Sequence, residues 1–438
     1  MTEINADTWT WNRLGRGEPT FWLNDGRAIP HEPAPAIGLR DVADARVRWD
    51  RFGPLLKALF PEQIPEGIIE SPLIPIPKLA ARFLPEDHRG ASHRVFVKAD
   101  SALPVAGSVK ARGGIYEVLC LAERVALAEN LLRDQEDDYV KLASPDAREK
   151  FSRYRLLVAS TGNLGYAVGA MGSALGFETT VHMSSDAKAR KKDRLRKLGA
   201  IVIEHSADYT STVAAARAEA DAADNAHFVD DERSIELFLG YSVAAFRLVE
   251  QLQRLDIEVS EKKPLCVYLP CGVGGAPGGV LFGLRAMLGE RVWGFFAEPT
   301  ASPCMLMRLM AHLPPEASVY DLGLDNRTEA DGLAVGRASE LVVSMVGQQL
   351  KGAFTVADEE MFRWVARAQR EEGLRLELSA AAGFPGAFHH VWSLASLPSQ
   401  RERVEAATHI IWTTGGSMVP DEQYAAMLKR GVELAGSD

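Results

Sequence analysis

Short apolar runs and helix-compatible stretches alternate along most of the chain. Leu156-Leu157-Val158-Ala159 is followed by a helical stretch from Asn163 to Leu175, a second run from Thr179 to Met183, and a helix from Ala187 to Leu198 that Gly199 closes. The run Ile201-Val202-Ile203, an Ala-rich helix from Ser211 to Ala223 and the run His227-Phe228-Val229 continue the rhythm. Apolar runs this short, separated by helices, predict βαβ units around a buried parallel sheet. One long amphipathic helix is expected from Ser234 to Leu255. The alternation then resumes with a strand from Leu265 to Leu269, a helix from Gly278 to Leu288 and a strand from Val292 to Ala297. Two α/β layers follow from this pattern, with ligand loops at the C-terminal ends of the strands.

The first seventy residues do not share the rhythm. A helix is expected from Gly38 to Leu59, and the prolines of Ser71-Pro72-Leu73-Ile74-Pro75-Ile76-Pro77 predict an extended connector with a boundary near residue 75. A length of 438 residues fits two or three domains at ~150 residues each. With 47% hydrophobic and 25% charged residues and no low-complexity tract, the chain should fold through nearly all its length. Forty-nine Lys and Arg against 59 Asp and Glu give a net charge of -10, which disfavours a nucleic-acid or anionic-membrane partner. Any anionic ligand must therefore be held by a local device. The segment from Lys188 to Lys197 carries seven Lys or Arg in ten residues, but without interleaved aromatics it reads as a solvated helix face.

Met1 to Arg16 has no basic start followed by an apolar stretch, and no apolar run approaches the ~18 residues of a membrane span, so a soluble, cytoplasmic protein is expected. Cys120, Cys266, Cys271 and Cys304 form no C-x-x-C pair and read as reduced, buried residues.

Three turns carry candidate chemistry. Pro270-Cys271-Gly272-Val273-Gly274-Gly275-Ala276-Pro277-Gly278-Gly279 joins a strand to a helix and contains five glycines. Such a turn offers backbone N–H groups and a helix N-terminus to a phosphate, or it is a packing turn; it is neither a Walker A loop nor a G-x-G-x-x-G fingerprint. Ser160-Thr161-Gly162-Asn163-Leu164-Gly165 also opens a helix, and suits either a carboxylate or phenolate oxygen or a plain N-cap. In Ala106-Gly107-Ser108-Val109-Lys110-Ala111-Arg112-Gly113-Gly114 a single lysine is flanked by small residues. A lone lysine is ordinarily solvated. Together, a lysine able to form a Schiff base, a glycine cradle and an Asn-bearing turn are the parts that pyridoxal phosphate requires.

In order along the chain, Pro104 to Lys110, Ser160 to Asn163, the 272–279 loop and Thr413-Thr414-Gly415-Gly416 resemble the fold-type II, tryptophan-synthase-β-like pyridoxal phosphate enzymes, most closely the D-serine ammonia-lyase (D-serine dehydratase) branch. Ser71 to Pro75, Phe96 to Ser101, Ser184 to Lys188, Ala297 to Thr300 and Ala330 to Ser339 support the likeness, which covers roughly residues 70 to 420. It implies an α/β fold of two open, twisted, mostly parallel-sheet domains with the cofactor between them. The implied division is an N-terminal extension over 1–75 packed on the large domain, a large cofactor domain over 76–117 and 238–438, and a small α/β domain over 118–237. The implied reaction is β-elimination of D-serine to pyruvate and ammonia, with D-threonine as a further substrate.

The resemblance also implies roles. Lys110 would hold pyridoxal phosphate as a Schiff base, Asn163 would bond its 3′-oxygen, and Gly272, Val273, Gly274, Gly275, Ala276 and Gly278 would bind its phosphate. Thr414 would pair with the pyridine nitrogen. Lys110 or Thr161 would take part in removing the α-hydrogen, and Ser160, Thr161, Gly162, Asn163 and Leu164 would receive the substrate carboxylate. Glu298, Ser302 and Cys304 stand at offsets matching a monovalent cation site for K⁺ or Na⁺, or else Glu298 caps a helix beside an ordinary core cysteine. Two positions depart from the family pattern: Ala276 interrupts the glycine run and requires a negative φ, and Leu378 follows Glu377 where relatives carry Pro. The alternatives are an L-serine/L-threonine dehydratase or serine racemase on the same fold, and, outside enzymes, an anion- or dinucleotide-binding α/β protein. A monomer is expected, with the aromatic N-terminal segment of Trp9, Trp11, Phe21 and Trp22 covering a dimer surface.

Overall fold

The computed structural model describes residues 8–436 except positions 28, 30, 32, 161, 186, 188, 207 and 208. Its strands are β1 Phe21–Leu23, β2 Leu73–Pro75, β3 Val95–Lys98, β4 Arg155–Ala159, β5 Glu178–Ser184, β6 Ile201–His205, β7 Ala226–Val229, β8 Leu265–Pro270, β9 Val292–Pro299, β10 Gly352–Val356 and β11 Thr408–Trp412. They form two sheets, ordered β1-β10-β9-β8-β11-β3-β2 and β6-β5-β4-β7. The four-stranded sheet is parallel throughout. The seven-stranded sheet has a parallel centre, and β1 and β2 close its two edges antiparallel. Every residue of β8, β9, β10 and β11 is buried, as expected for parallel strands covered on both faces. Among the described residues no helix is long and apolar enough to cross a membrane.

The chain divides into two compact units, one of Met1–Leu39, Ser71–Ala102 and Ala244–Asp438, the other of Arg40–Glu70 and Leu103–Val243. Several expectations shift accordingly. The proline cluster is more than a connector: Leu73 and Ile74 pair with Lys98 and Val97, a location open to prolines because an edge strand leaves some N–H positions unused. The stretch expected as one helix over 234–255 is two, Ile235–Ser242 and Ala244–Arg254, because the chain passes from the second unit to the first at Val243. Gly240 of the former lies where a Cβ would stand 2.7 Å from both the Arg112 carbonyl oxygen and Tyr116 Cβ.

Residues 40–70 cluster with the second unit and not with the large domain. Apolar packing and buried charge both tie them there, with Phe52 fully buried 4.7 Å from the Tyr139 ring. Glu123, buried in the helix Tyr116–Ala128, accepts from Arg48 Nε at 2.8 Å and Arg51 Nη2 at 2.7 Å, both on the helix Leu39–Leu59, and from the Tyr139 hydroxyl at 2.7 Å. Lys110, expected in the large domain, likewise falls in the second unit.

Burial opposes ionisation of Glu123, but the hydrogen bonds from Tyr139, Arg48 and Arg51 outweigh it and hold the carboxyl below its usual range. Glu123→Gln should cost about 2 kcal/mol at pH 7, discounted from a fully buried pair because both arginines keep some water contact. A depressed carboxylate stabilises above the unfolded pKa of about 4.3 and loses that contribution as pH falls through the folded value. The difference in Tm between wild type and variant, read by calorimetry, should therefore be full at pH 7 and close on acidification.

Candidate active site

In the first unit, β8 feeds directly into the helix Gly275–Leu288, which begins three residues earlier than the hydrophobic pattern predicts. Gly274 is its N-cap in the left-handed region at φ 110°. A Cβ there would stand 2.7 Å from the Met305 methyl carbon, and one on Gly272 would stand 3.2 Å from the Gly332 carbonyl oxygen. Gly278 N–H donates to the Gly274 carbonyl at 2.8 Å, the first helical bond. The N–H groups of Gly275 and Ala276 precede that bond and have no acceptor inside the helix, and Pro277 contributes no N–H. Free donors at the positive end of a helix dipole form an anion cradle without a side-chain cation. Ala276 lies inside this helix with negative φ, so the loop geometry accommodates it.

β11 is hydrogen-bonded to β8, with Ile411 opposite Tyr268, and its C-terminal end carries Thr413 and Thr414. The Thr413 hydroxyl donates to the Lys98 carbonyl and sits 3.1 Å from Ser101 Oγ. Thr414 Oγ1 is buried without a partner among the described residues. Gly415 packs against Glu377, where a Cβ would meet Oε1 at 2.1 Å. Leu378, placed where relatives carry Pro, begins a short 3-10 turn, Leu378–Ala381, and is itself buried.

Glu298, near the end of β9, is fully buried and accepts from the N–H groups of Met305 at 2.7 Å and Leu306 at 2.8 Å. Burial pushes its carboxyl up to about 8 against the pull of those bonds. The Ser302 hydroxyl donates to Asn326 Oδ1 at 2.5 Å, and Cys304 Sγ donates to the Gly272 carbonyl at 3.5 Å. Glu298 thus ties down the first turn of the helix Cys304–Met310, and Cys304 bonds the glycine loop.

In the second unit, Lys110 stands at the N-cap of a π-helical turn, Ala111–Ile115. Its Nζ lies 2.7 Å and 3.0 Å from the two carboxylate oxygens of Asp231, and 5.8 Å from the Tyr241 ring centroid. Gly113 makes room for that ring, since a Cβ would meet it at 2.5 Å. Ser108 Oγ and the Tyr241 hydroxyl are buried without partners among the described residues, and burial raises the Tyr241 phenol well above its ordinary pKa. Arg112, 4% exposed, donates to Glu70 Oε1 at 2.6 Å, so the 40–70 segment also holds the lysine-bearing turn.

The other turn of this unit follows β4 and opens the helix Asn163–Leu175. The Ser160 hydroxyl accepts from the N–H groups of Gly162 at 3.1 Å and Gly165 at 3.0 Å, so it acts as a local cap. Leu164 is buried, its Cδ1 3.0 Å from where a Cβ on Gly114 would stand. Its side chain therefore packs between elements, leaving only its backbone for a ligand. Gly162 is the N-cap with φ 170°, and Asn163 is the first helical residue. Thr161 lies outside the described residues.

Sequence reasoning missed Asp231, Ser108 and Tyr241. For Asp231 a signal existed: Asp230 and Asp231 follow β7 at the C-terminal end of a parallel strand, the customary place for ligand contacts. Asp230 pairs with Arg217 at 2.7 Å, leaving Asp231 for Lys110. Pyridoxal phosphate fits these residues. The first unit offers backbone donors suited to its phosphate and, in Thr414, a buried hydroxyl with no partner among the described residues suited to its ring nitrogen; the second offers a lysine positioned by a carboxylate, suited to its aldehyde.

Comparison with known proteins agrees. Residues 64–399 match the family described as pyridoxal-phosphate dependent enzyme. A probable D-serine dehydratase from Chromobacterium violaceum is 49% identical over 422 residues, covering 95% of this chain and 94% of that protein. Another from Pseudomonas putida is 47% identical over 423 residues, with 95% and 94% covered. Diaminopropionate ammonia lyase from Escherichia coli shares the fold, with a TM-score of 0.69 at 19% identity, covering 94% of this chain and 97% of that one. The match over more than half the chain and the near 50% identity to full-length relatives establish that this chain belongs to the pyridoxal-phosphate-dependent enzymes of fold-type II.

Proposed function

We propose that the chain converts D-serine to pyruvate and ammonia by pyridoxal-phosphate-dependent β-elimination, with D-threonine as a further substrate. The observation that carries this reading is the pairing, on neighbouring strands β8 and β11, of a glycine-lined helix N-terminus with the partnerless hydroxyl of Thr414. The choice of D-serine follows the full-length relatives named probable D-serine dehydratase. Pyridoxal phosphate, when bound, supplies an electron sink for breaking the Cα–H bond and expelling the β-hydroxyl. D-serine would thereby lose water to give aminoacrylate, which after release takes up one water and yields pyruvate and ammonia.

The chain's own residues do the rest. The free N–H groups of the turn from Gly272 to Ala276 would hold the phosphate, and Asn163 would bond the 3′-oxygen. Thr414 faces the ring nitrogen with a neutral hydroxyl, which does not enforce a protonated ring as a carboxylate would. Such a site favours eliminations, in which the leaving hydroxide takes the electron pair at once. Lys110 carries the cofactor and moves a proton at Nζ, Asp231 positions that nitrogen, and Thr161 is the second candidate for moving the α-proton. The turn from Ser160 to Leu164 receives the substrate carboxylate through its backbone. We further propose that the chain works as a cytoplasmic monomer: β1 covers the outer edge of β10, and the four cysteines are buried thiols suited to a reducing compartment.

Incubation with each enantiomer of serine and assay of pyruvate should show D-serine turned over faster; faster turnover of L-serine overturns the assignment. Lys110→Ala should lose the Schiff-base absorption band and at least about a thousandfold in kcat. Asp231→Asn should keep the band and lower kcat about tenfold with KM nearly unchanged, since it misplaces a proton-moving group without removing a binding contact. Gly274→Ala should weaken cofactor retention during dialysis about tenfold, because the new methyl displaces the loop. Sedimentation should give a monomer with residues 1–70 intact, and a stable dimer would refute the covering role of that segment.

A further inference from the structure

The parallel strands of the first unit have a second edge that carries a pocket. Opposite the glycine turn, at the N-terminal ends of β8, β9, β10 and β11, lies a cavity of about 620 Å³ lined by Asn24, Lys262, Arg285, Trp293, Lys351 and Arg403, among others. β8 separates the two edges by six residues, about 20 Å of extended chain. The charges on the cavity wall are Lys262, Arg285, Lys351 and Arg403 against Glu261 and Glu290. This is a net positive pocket in a chain of net charge -10.

The cations are arranged and not merely present. Trp293 is 4% exposed, with Lys351 Nζ 4.9 Å and Arg403 Cζ 4.7 Å from its ring centroid. Each cation thus packs against the Trp293 ring, which carries no formal charge to neutralise it. Arg403 Nε donates to the Glu261 carbonyl at 2.8 Å, which orients the guanidinium by a neutral acceptor. Glu290 is engaged by Arg285. Asn24 donates to the Gly347 and Leu350 carbonyls at 3.0 Å each and so fixes the loop that carries Lys351. Burial and the neighbouring Arg403 both hold the Lys351 ammonium below its ordinary pKa, a tension that an incoming anion relieves.

We propose that this cavity is a second anion site, which binds the phosphate of a small phosphomonoester between Lys351 and Arg403. The volume admits a molecule of nucleotide size. A guanidinium and an ammonium that both line one cavity and both pack on Trp293 suit a doubly charged phosphate, whereas a single carboxylate would leave one cation unmatched. The assignment is independent of which amino acid the enzyme consumes.

The test is calorimetric titration of the holoenzyme, its cofactor phosphate site filled, with AMP and separately with inorganic phosphate at low ionic strength. One saturable site per chain is expected for AMP, weakening with added salt, while adenosine, which lacks the phosphate, gives none. Lys351→Gln and Lys262→Glu should each weaken AMP binding about tenfold or more, and Lys351→Gln/Arg403→Gln should abolish it, with turnover in the absence of AMP unchanged. If AMP and phosphate both fail to bind the native holoenzyme, the proposal is wrong. It is equally wrong if Lys351→Gln and Lys262→Glu bind AMP as tightly as the native protein. Lys262 is exposed, so its replacement reads the site even where the Arg403 variant does not fold.

Discussion

A phosphate held by neutral backbone donors demands that the main chain itself come within hydrogen-bond distance of the ligand, and side chains must be absent wherever it does. That constraint organises the first unit. Gly274 takes a left-handed conformation, and the Met305 methyl occupies the place its Cβ would need. Met305 belongs to a short helix whose first turn is fixed by the buried Glu298 carboxyl. The wall behind the loop is thus set by an acid two strands from Thr414, and the loop cannot relax outward without breaking that cap. On the proposed reading an acidic chain can bind an anion here, because the positive potential comes from peptide dipoles and not from net charge.

The second unit meets a different demand, that of keeping one lysine oriented. Asp231 fixes the ammonium, Gly113 admits the Tyr241 ring beside the lysine turn, and Arg112 anchors that turn to Glu70. Arg48 and Arg51 carry the same segment onto Glu123. The segment from Leu39 to Glu70 is therefore part of the structural support of the Lys110 turn.

Much of this was legible in the order of residues. The apolar runs marked all four strands of the small sheet and, in the large one, β8 and β9 to within two residues, whereas β3, β10 and β11 were not read as strands. Asn163 and Leu175 bounded their helix correctly, with Gly176 in the left-handed region after it. What stayed hidden depends on contacts distant in sequence. Asp231 faces Lys110 across 121 residues, and no local pattern distinguishes it from Asp230. The break at Val243 falls inside an unbroken amphipathic stretch, since both helices are good helix formers and only their separate packing divides them. The strand at Leu73 was masked by prolines that would exclude it from the middle of a sheet but not from its edge. The basic run forms the helix Ala189–Lys197, but its face is not simply solvated: Lys192 is buried and, with Arg196, engages Glu204.

Both borders of the seven-stranded sheet are sealed by three-residue antiparallel strands, one of them among prolines, so neither border offers a long open ladder for another chain to extend. The two seals are made at very different times. β2 pairs with β3 about twenty residues later, almost as soon as both leave the ribosome. β1 waits for β10, and the Thr20 N–H bond to the Thr355 hydroxyl spans 335 residues. At ~10 residues per second of synthesis, Phe21, Trp22 and Leu23 stay unpaired for roughly half a minute. During translation the aromatic β1 segment therefore stays without its partner strand long after it is made, and of the two edges the one at β1 closes later.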